Sequence, residues 1–233
     1  MLLDGMILKS KPLRGVIFDM DGVLCDSEPF IAKAACRMFA ETYRLSVSHR
    51  DFLPFVGTGE NRFIGGVAEK YGVTINLARD KARVYAIYLE IIRGRLQPLP
   101  GARDFIADCR QRGFRLAVAT SADRIKLDGN LAEIGIPPQT FDTIITGDRI
   151  QRKKPDPEIF LKAAAQLDFV PQECLVIEDA ENGVRAAKSA GSRCLALTTT
   201  YDAAQLQAAG ADWTAPDLAH VPPVVFNPDA SSN

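Results

Sequence analysis

Two aspartates separated by one residue follow an apolar run near the start of the chain. The run covers residues 15–18, and Asp19 and Asp21 come directly after it, just before Gly22. Side chains two residues apart on an extended chain point to the same side, so both carboxylates can face one site. Glycine then permits a sharp turn. One such carboxylate can attack phosphorus as a nucleophile, while the other transfers the proton.

Transfer of a phosphoryl group to a carboxylate also needs donors for the phosphoryl oxygens and a cation that offsets charge repulsion. Thr120 and Ser121 follow a second apolar run and offer hydroxyl and backbone N–H donors. Lys154 precedes a predicted helix and offers an ammonium group. Glu178 and Asp179 end a third run, and adjacent carboxylates suit a hard cation with oxygen ligands.

The apolar runs that precede these residues predict a parallel sheet. They cover residues 15–18, 114–119, 174–177 and 194–197, with a weaker run at 141–146. Continuous apolar runs are typical of strands that are buried on both faces. Helical patterns lie between them, at residues 102–112, 156–167 and 181–190. The alternation predicts an α/β fold with a doubly wound parallel sheet, in which the carboxyl ends of the strands share one edge.

The stretch after the first strand interrupts this alternation. It shows amphipathic helical patterns at residues 31–43, 61–71 and 77–93, and a proline-containing connection follows at 97–101. We therefore predict a small all-α cap domain over residues 29–98, and a core domain formed by 1–28 and 99–233. A module inserted at this point would overhang the strand ends, where α/β folds bind ligands.

Composition limits the classes of partner. The net charge of −1 gives no global basic field that would attract nucleic acid or anionic lipid. No apolar run approaches the length of about 18 residues that spans a membrane. The five cysteines are scattered and form no C-x-x-C pair, so neither a disulfide framework nor a zinc site is expected. We expect a cytoplasmic monomer, or a plastid stromal one if a transit peptide has been removed.

Four segments together resemble the motifs of the haloacid dehalogenase superfamily. They are Phe18-Asp19-Met20-Asp21-Gly22-Val23, Ala119-Thr120-Ser121, Lys154-Pro155 and Ile177-Glu178-Asp179-Ala180. The helical insertion is similar to the cap of the branch that contains β-phosphoglucomutase and many sugar-phosphate phosphatases. The resemblance covers nearly the whole chain, and it implies a Rossmann-like core and a magnesium-dependent phosphatase activity.

The resemblance also implies a role for each motif residue. Asp19 would form an aspartyl-phosphate, and Asp21 would protonate the leaving oxygen and then activate water. Mg²⁺ would be bound by the carboxylates of Asp19 and Asp179 and by the backbone carbonyl of Asp21, with Glu178 binding it directly or through water. The phosphoryl oxygens would be bound by Thr120, Ser121 and Lys154.

Other activities of the superfamily remain as alternatives. Dehalogenases need neither a metal nor the second aspartate, and Glu60 stands where phosphonatases carry a cap lysine. Mutases carry a hinge histidine, a cap arginine and a lysine after the second motif, at positions that align with Ile31, Glu60 and Asp123. These three differences favour hydrolysis. A phosphosugar mutase, or a regulatory interaction module with little activity, are the alternative interpretations.

The predicted cap would select the substrate, which the resemblance indicates is a small phosphorylated metabolite similar to a sugar phosphate. Glu60, Asn61 and Arg62 are the candidates to contact its remote end, because they follow a glycine-containing segment that could approach the site. A glutamate at position 60 would repel a second phosphate group. The alternative interpretation is that these residues merely begin a helix.

Overall fold

The computed structural model describes residues 11–55 and 59–226. Within these ranges six strands form one sheet: β1 (Gly15–Phe18), β2 (Arg115–Ala119), β3 (Thr143–Ile145), β4 (Cys174–Glu178), β5 (Arg193–Leu197) and β6 (Trp213–Ala215). Their order is β3-β2-β1-β4-β5-β6, and every neighbouring pair is parallel. The predicted doubly wound α/β fold is confirmed, with its switch in strand order between β1 and β4.

Eight α-helices accompany the sheet in the described ranges. They are α1 (Glu28–Tyr43), α2 (Glu60–Lys70), α3 (Leu77–Ile92), α4 (Ala102–Gln111), α5 (Arg124–Glu133), α6 (Glu158–Gln166), α7 (Glu181–Ala190) and α8 (Ala203–Ala208). The sequence did not predict α5, α8 or β6. Two of these are short, and α5 lacks acidic residues in its first turn, so the usual signal for the start of a helix is missing.

Both faces of the sheet are buried, which explains the continuous apolar runs. Successive residues of a strand point to opposite faces. Phe18 packs on one face with Phe105 of α4, their ring centroids 6.2 Å apart. Ile17 packs on the other face with Phe160 of α6. The central strands therefore hold their carboxyl ends rigidly beside one another.

Helices α1, α2 and α3 lie between β1 and α4 and form a helical insertion. Its two connections to the sheet run side by side, because Cys25 and Pro98 form a bridge and the Leu99 N–H donates to the Leu24 carbonyl at 2.9 Å. The insertion also contacts the sheet domain through α3 and α5, where the Tyr88 hydroxyl donates to the Asn130 side chain. These contacts fix the insertion near the carboxyl ends of the strands.

The structure also shows the state of the cysteines and whether any described helix could cross a membrane. All five cysteines are free thiols, and four of them are buried. None of the helices in residues 11–55 and 59–226 is both long enough and apolar enough to cross a bilayer.

Candidate active site

The strand register brings the predicted site residues to one edge of the sheet. Phe18 pairs with Val118 of β2 and with Ile177 of β4. Asp19 follows Phe18, and its backbone N–H donates to the Ile177 carbonyl at 2.9 Å. The side chain of Asp19 therefore lies between the ends of β2 and β4, beside Glu178.

An acidic cluster occupies this edge. Oxygen atoms of Asp19, Glu178 and Asp179 lie within 4.8 Å of one another, and all three residues are buried. Burial raises the pKa of Asp19 to about 7, and burial and the Glu178 carboxylate raise the pKa of Asp179 well above its ordinary value. The Thr200 hydroxyl donates to Asp179. Three carboxyl groups with oxygen donors only are a donor set that fits a hard divalent cation.

Lys154 places a positive charge of the chain itself against this cluster. Its Nζ lies 2.5 Å from Asp19 Oδ1 and 2.5 Å from Glu178 Oε1, and it also donates to the Ala119 carbonyl at 3.3 Å. Burial alone would lower the pKa of Lys154, but the two carboxylates outweigh burial and hold that pKa above its ordinary value. One ammonium against three carboxylates leaves excess negative charge, which a bound divalent cation would balance.

Asp21 is held from two sides. Its Oδ1 accepts a hydrogen bond from the Ser27 hydroxyl, and its Oδ2 accepts one from Lys126 Nζ at 2.8 Å. Asp21 and Asp19 line the same cavity, of about 230 Å³, at the sheet edge. The two aspartates that the sequence singled out are thus near each other, and each pairs with a different buried lysine.

The loop after β2 presents hydroxyl groups to that cavity. Thr120 is buried, and its Oγ1 accepts a hydrogen bond from the Ala122 N–H at 3.1 Å. The Ser121 Oγ is also buried but has no hydrogen-bond partner within the described residues. A buried hydroxyl without a partner is costly, and a phosphoryl oxygen in the cavity would supply the missing acceptor.

The three candidate substrate residues lie in different places. Glu60 begins α2, is 7% exposed, and lines a second cavity with Asp21 and Lys126. Its Oε2 has no hydrogen-bond partner within the described residues. Asn61 and Arg62 are exposed and line a separate groove on α2, where Arg62 pairs with Glu69 at 2.7 Å. Of the preceding segment, residues 56–58 lie outside the described residues.

Several residues at the site were not singled out from the sequence, and four of them contact the predicted residues closely. They are Ser27, Lys126, Gly183 and Thr200. Lys126 could have been noticed from the sequence, because it follows a strand in the first turn of a helix. A lysine there interacts unfavourably with the helix dipole, which suggests that it has another function. Ser27 looks like an ordinary helix cap, yet its hydroxyl donates to Asp21 and makes no cap hydrogen bond.

Gly183 provides a test of the acidic cluster. A Cβ atom at this position in α7 would lie 2.0 Å from the carboxyl carbon of Glu178. We expect Gly183→Ala to displace that carboxylate from Lys154 and from the backbone N–H groups of Asp179 and Ala180, which donate to Glu178 Oε2. The rate of phosphate release from p-nitrophenyl phosphate should fall by about 100-fold, and a higher magnesium concentration should be needed to reach it.

A matched control for this substitution is Gly65→Ala. Gly65 lies within α2, and a Cβ atom there would meet nothing within 4 Å. Alanine is favoured over glycine inside a helix by up to about 1 kcal/mol, so this variant should keep its activity and melt at the same or a higher temperature. If Gly183→Ala behaved like Gly65→Ala, a role for Glu178 in binding a metal ion would be contradicted.

A family comparison agrees with this arrangement. The model of a hydrolase family, the haloacid dehalogenase-like hydrolases, matches residues 13–191 of the chain. The match begins just before β1 and ends just after α7, so it includes every strand end that contributes to the acidic cluster.

Individual relatives share the same segment. The chloroplastic protein SUPPRESSOR OF QUENCHING 1 of Arabidopsis thaliana is 42% identical over 90% of the chain, which spans only 20% of that relative's length. The phosphorylated carbohydrates phosphatase of Thermotoga maritima is 33% identical over 77% of the chain and 82% of its own length. The crystal structure of CbbY from Rhodobacter sphaeroides in complex with phosphate has a TM-score of 0.78 at 28% identity, covering 89% of this chain and 95% of that one.

Proposed function

The chain belongs to the haloacid dehalogenase-like hydrolases, and from that premise we propose that it is a magnesium-dependent phosphomonoester hydrolase. The observation that supports this proposal most strongly is that the groups needed for phosphoryl transfer all line one cavity. A nucleophile candidate, a proton-transfer candidate, a lysine and hydroxyl donors line one cavity at the sheet edge, together with the acidic cluster. The names of the Thermotoga relative and of the phosphate complex of CbbY support a phosphate ester as substrate.

The reaction follows from the roles of the two aspartates. An oxygen of Asp19 attacks phosphorus while the bond from phosphorus to the leaving oxygen breaks, and Asp21 gives that oxygen a proton. The product is an aspartyl-phosphate on Asp19. Asp21 then takes a proton from water, the water oxygen bonds to phosphorus, and the bond to Asp19 breaks, which releases phosphate and restores both carboxyl groups.

Other residues hold the phosphoryl group during both steps. The hydroxyls of Thr120 and Ser121 and the ammonium of Lys154 are donors on the cavity wall that can bind its oxygens. Mg²⁺ would be held by Asp19, Asp179, Glu178 and the backbone carbonyl of Asp21. When bound, it offsets the repulsion between the carboxylate nucleophile and the anionic phosphate.

We assign the helical insertion to a cap domain over residues 29–98 and the remainder, 1–28 and 99–233, to the core. Glu60 lies where the insertion meets Asp21 and Lys126, so it is the cap residue best placed to contact the substrate's remote end. Its Oε2, which has no hydrogen-bond partner among the described residues, would accept hydrogen bonds from hydroxyl groups, and the carboxylate would repel a second phosphate. The substrate class is therefore a small monophosphate that resembles a sugar phosphate. The compartment that we propose is a reducing one, such as the cytoplasm or a plastid stroma.

A mutase must shield the aspartyl-phosphate from water until an acceptor arrives, and the residues here do not favour it. Ile31, at the position of the mutase hinge histidine, is an apolar wall of the cavity that holds Asp21. Asp123, at the position of a mutase lysine, pairs with Lys81 of α3 at 2.6 Å. With Glu60 in place of an arginine, nothing at these three positions would control proton transfer or grip a second phosphate.

The proposal is tested by measuring phosphate release from p-nitrophenyl phosphate and from a panel of small phosphorylated metabolites, with magnesium and with a chelator. We expect turnover that requires magnesium and is highest for monophosphates with hydroxyl groups. A second measurement with β-glucose 1-phosphate distinguishes a phosphatase from a mutase. Faster formation of glucose 6-phosphate than of free phosphate would identify a mutase. Activity no higher than that of Asp19→Asn would instead favour an interaction module.

A further inference from the structure

A second buried lysine lies at the catalytic edge, and none of the roles above uses it. Lys126 stands in the first turn of α5 and is 2% exposed. Its Nζ donates to Asp21 Oδ2 at 2.8 Å. Burying an ammonium is unfavourable, and the first turn of a helix is unfavourable for a positive charge. The position of Lys126 is thus costly for the fold and calls for a compensating role.

The neighbours of Lys126 come from three parts of the chain. Asp21 follows β1, Glu28 begins α1, and Glu60 begins α2, and all three line the same cavity as Lys126. The ammonium of Lys126 donates to the Asp21 carboxylate and shares a cavity with the carboxyl groups of Glu28 and Glu60, and nearby carboxylates favour the charged form of a lysine. The side chain is therefore a fixed cation at the point where the sheet domain meets the helical insertion.

The two hydrogen bonds of Asp21 differ in one chemical respect. An ammonium has three donors and no acceptor, whereas a hydroxyl can donate or accept. Oδ2, which faces Lys126, can therefore only be an acceptor while that contact persists. Oδ1 faces the Ser27 hydroxyl, which can turn and accept when Oδ1 carries a proton.

From this geometry we propose that Lys126 is a positioning residue that holds Asp21 by Oδ2 and leaves Oδ1 as the oxygen that carries the transferred proton. Oδ1–H gives its proton to the leaving oxygen as the phosphorus–oxygen bond breaks. Oδ1 then takes a proton from water as the water oxygen bonds to phosphorus and the bond to Asp19 breaks. The inference rests on the proposed hydrolase function and adds a residue to it.

Two substrates whose leaving groups differ in their need for a proton distinguish a positioning role of Lys126 from a purely structural role. Nitrophenolate is stable as an anion at neutral pH and departs from p-nitrophenyl phosphate without a proton, whereas the leaving group of phenyl phosphate needs one. The two probes have nearly the same shape. Their ratio of rates, measured on one preparation by rapid-quench release of the phenol, is independent of the fraction of enzyme that is folded.

We expect Lys126→Met to slow phenol release by about tenfold or more relative to nitrophenol release. Acid-quenched aspartyl-phosphate should also accumulate with p-nitrophenyl phosphate, because the second step needs Asp21 as a base. Lys81→Met is the matched control, since Lys81 pairs with Asp123 and lines neither cavity that holds Asp21. Its ratio and its phosphoenzyme level should equal those of the wild type.

Two further variants cover the possibility that methionine disturbs folding. Lys126→Arg keeps the positive charge and the donors, and should return the ratio to within about threefold of the wild type. The double variant Lys126→Met/Glu28→Gln removes one carboxylate together with the ammonium, and should show the same tenfold change as Lys126→Met.

The outcomes separate the two proposals. A wild-type chain without hydrolase activity would refute the proposed function, and the role of Lys126 with it. An active wild type, with unchanged ratios and no accumulated phosphoenzyme in Lys126→Met and in the double variant, would overturn the Lys126 proposal alone. Equal losses with both probes would assign Lys126 to stability.

Discussion

Replacing Asp19 by asparagine is expected to lower kcat by a factor of about 10⁴ or more with every phosphate ester tested. An amide is a poor nucleophile and cannot form the acyl phosphate. Rapid acid quenching with labelled substrate should therefore trap no phosphoenzyme in this variant. The measurement is phosphate release at saturating magnesium, together with the amount of label that remains on the protein.

The same substitution should not destabilise the fold, and this separates loss of chemistry from loss of structure. Asp19 and Glu178 both pair with the ammonium of Lys154, and Asp179 lies in the same buried acidic cluster. Asparagine has nearly the same size and removes one of the repelling charges. We expect the melting temperature in a chelator to be unchanged or higher than that of the wild type.

Asp26→Asn is the matched control, because Asp26 is an exposed aspartate on the same segment and does not line the cavity that contains Asp19. It should keep the activity of the wild type to within about threefold, as expected for a surface substitution. If Asp19→Asn retained more than a hundredth of the activity, the nucleophile would have to be sought elsewhere.

Lys154→Met is expected to lower kcat by about 10³-fold and, unlike Asp19→Asn, to destabilise the protein when magnesium is absent. The activity falls because the phosphoryl oxygens lose a buried cation. The fold weakens because Asp19 and Glu178 lose the ammonium that lies 2.5 Å from each of them. Thermal melting in a chelator and in magnesium measures the second effect.

The expected size of this destabilisation follows from the burial of the pair. Removing one partner of a buried ion pair costs about 3–5 kcal/mol, which corresponds to roughly 10 °C in a domain of this size. A divalent cation bound by the same carboxylates replaces part of the missing charge. Magnesium should therefore raise the melting temperature of Lys154→Met by more than it raises that of the wild type.

Lys153 offers an adjacent control. Its Nζ donates to the backbone carbonyls of Ser121 and Gly147 and makes no ion pair with the acidic cluster among the described residues. Lys153→Met should lose no more than about tenfold in activity and should show the wild-type response to magnesium. Equal behaviour of the two lysine variants would contradict the specific role of Lys154.

Much of the fold could be predicted from local patterns. The apolar runs at β1, β2, β4 and β5 are long enough to mark strands buried on both faces, and they were located to within a residue or two at each end. Weak elements were missed, because β6 has three residues and α8 has six, too few for a period to stand out. The pairing order of the strands was not readable either, since it depends on contacts between distant segments.

Some residues of the candidate site could likewise be predicted from local sequence patterns, whereas others could not. Asp19, Thr120 and Glu178 could be found because each ends an apolar run, and the shared edge of a parallel sheet follows from the fold class. Asn61 and Arg62 are candidates because they follow the same glycine-containing segment as Glu60, but consecutive helical positions face different directions, and both line a groove that is separate from the cavity of Glu60. The partners of Asp21 were not predicted, because Ser27 and Lys126 reach it from different segments.

The sequence by itself determined the chemistry available to this protein, through two aspartates, a lysine, hydroxyl residues and an acidic pair placed after buried strands. Only the tertiary structure decided how those groups are paired. In the folded protein Lys154 pairs with Asp19 and Glu178, and Lys126 pairs with Asp21. The physical reason is that a residue's type and local position are written along the chain, whereas a buried charge acquires its partner only when distant segments pack together and exclude water.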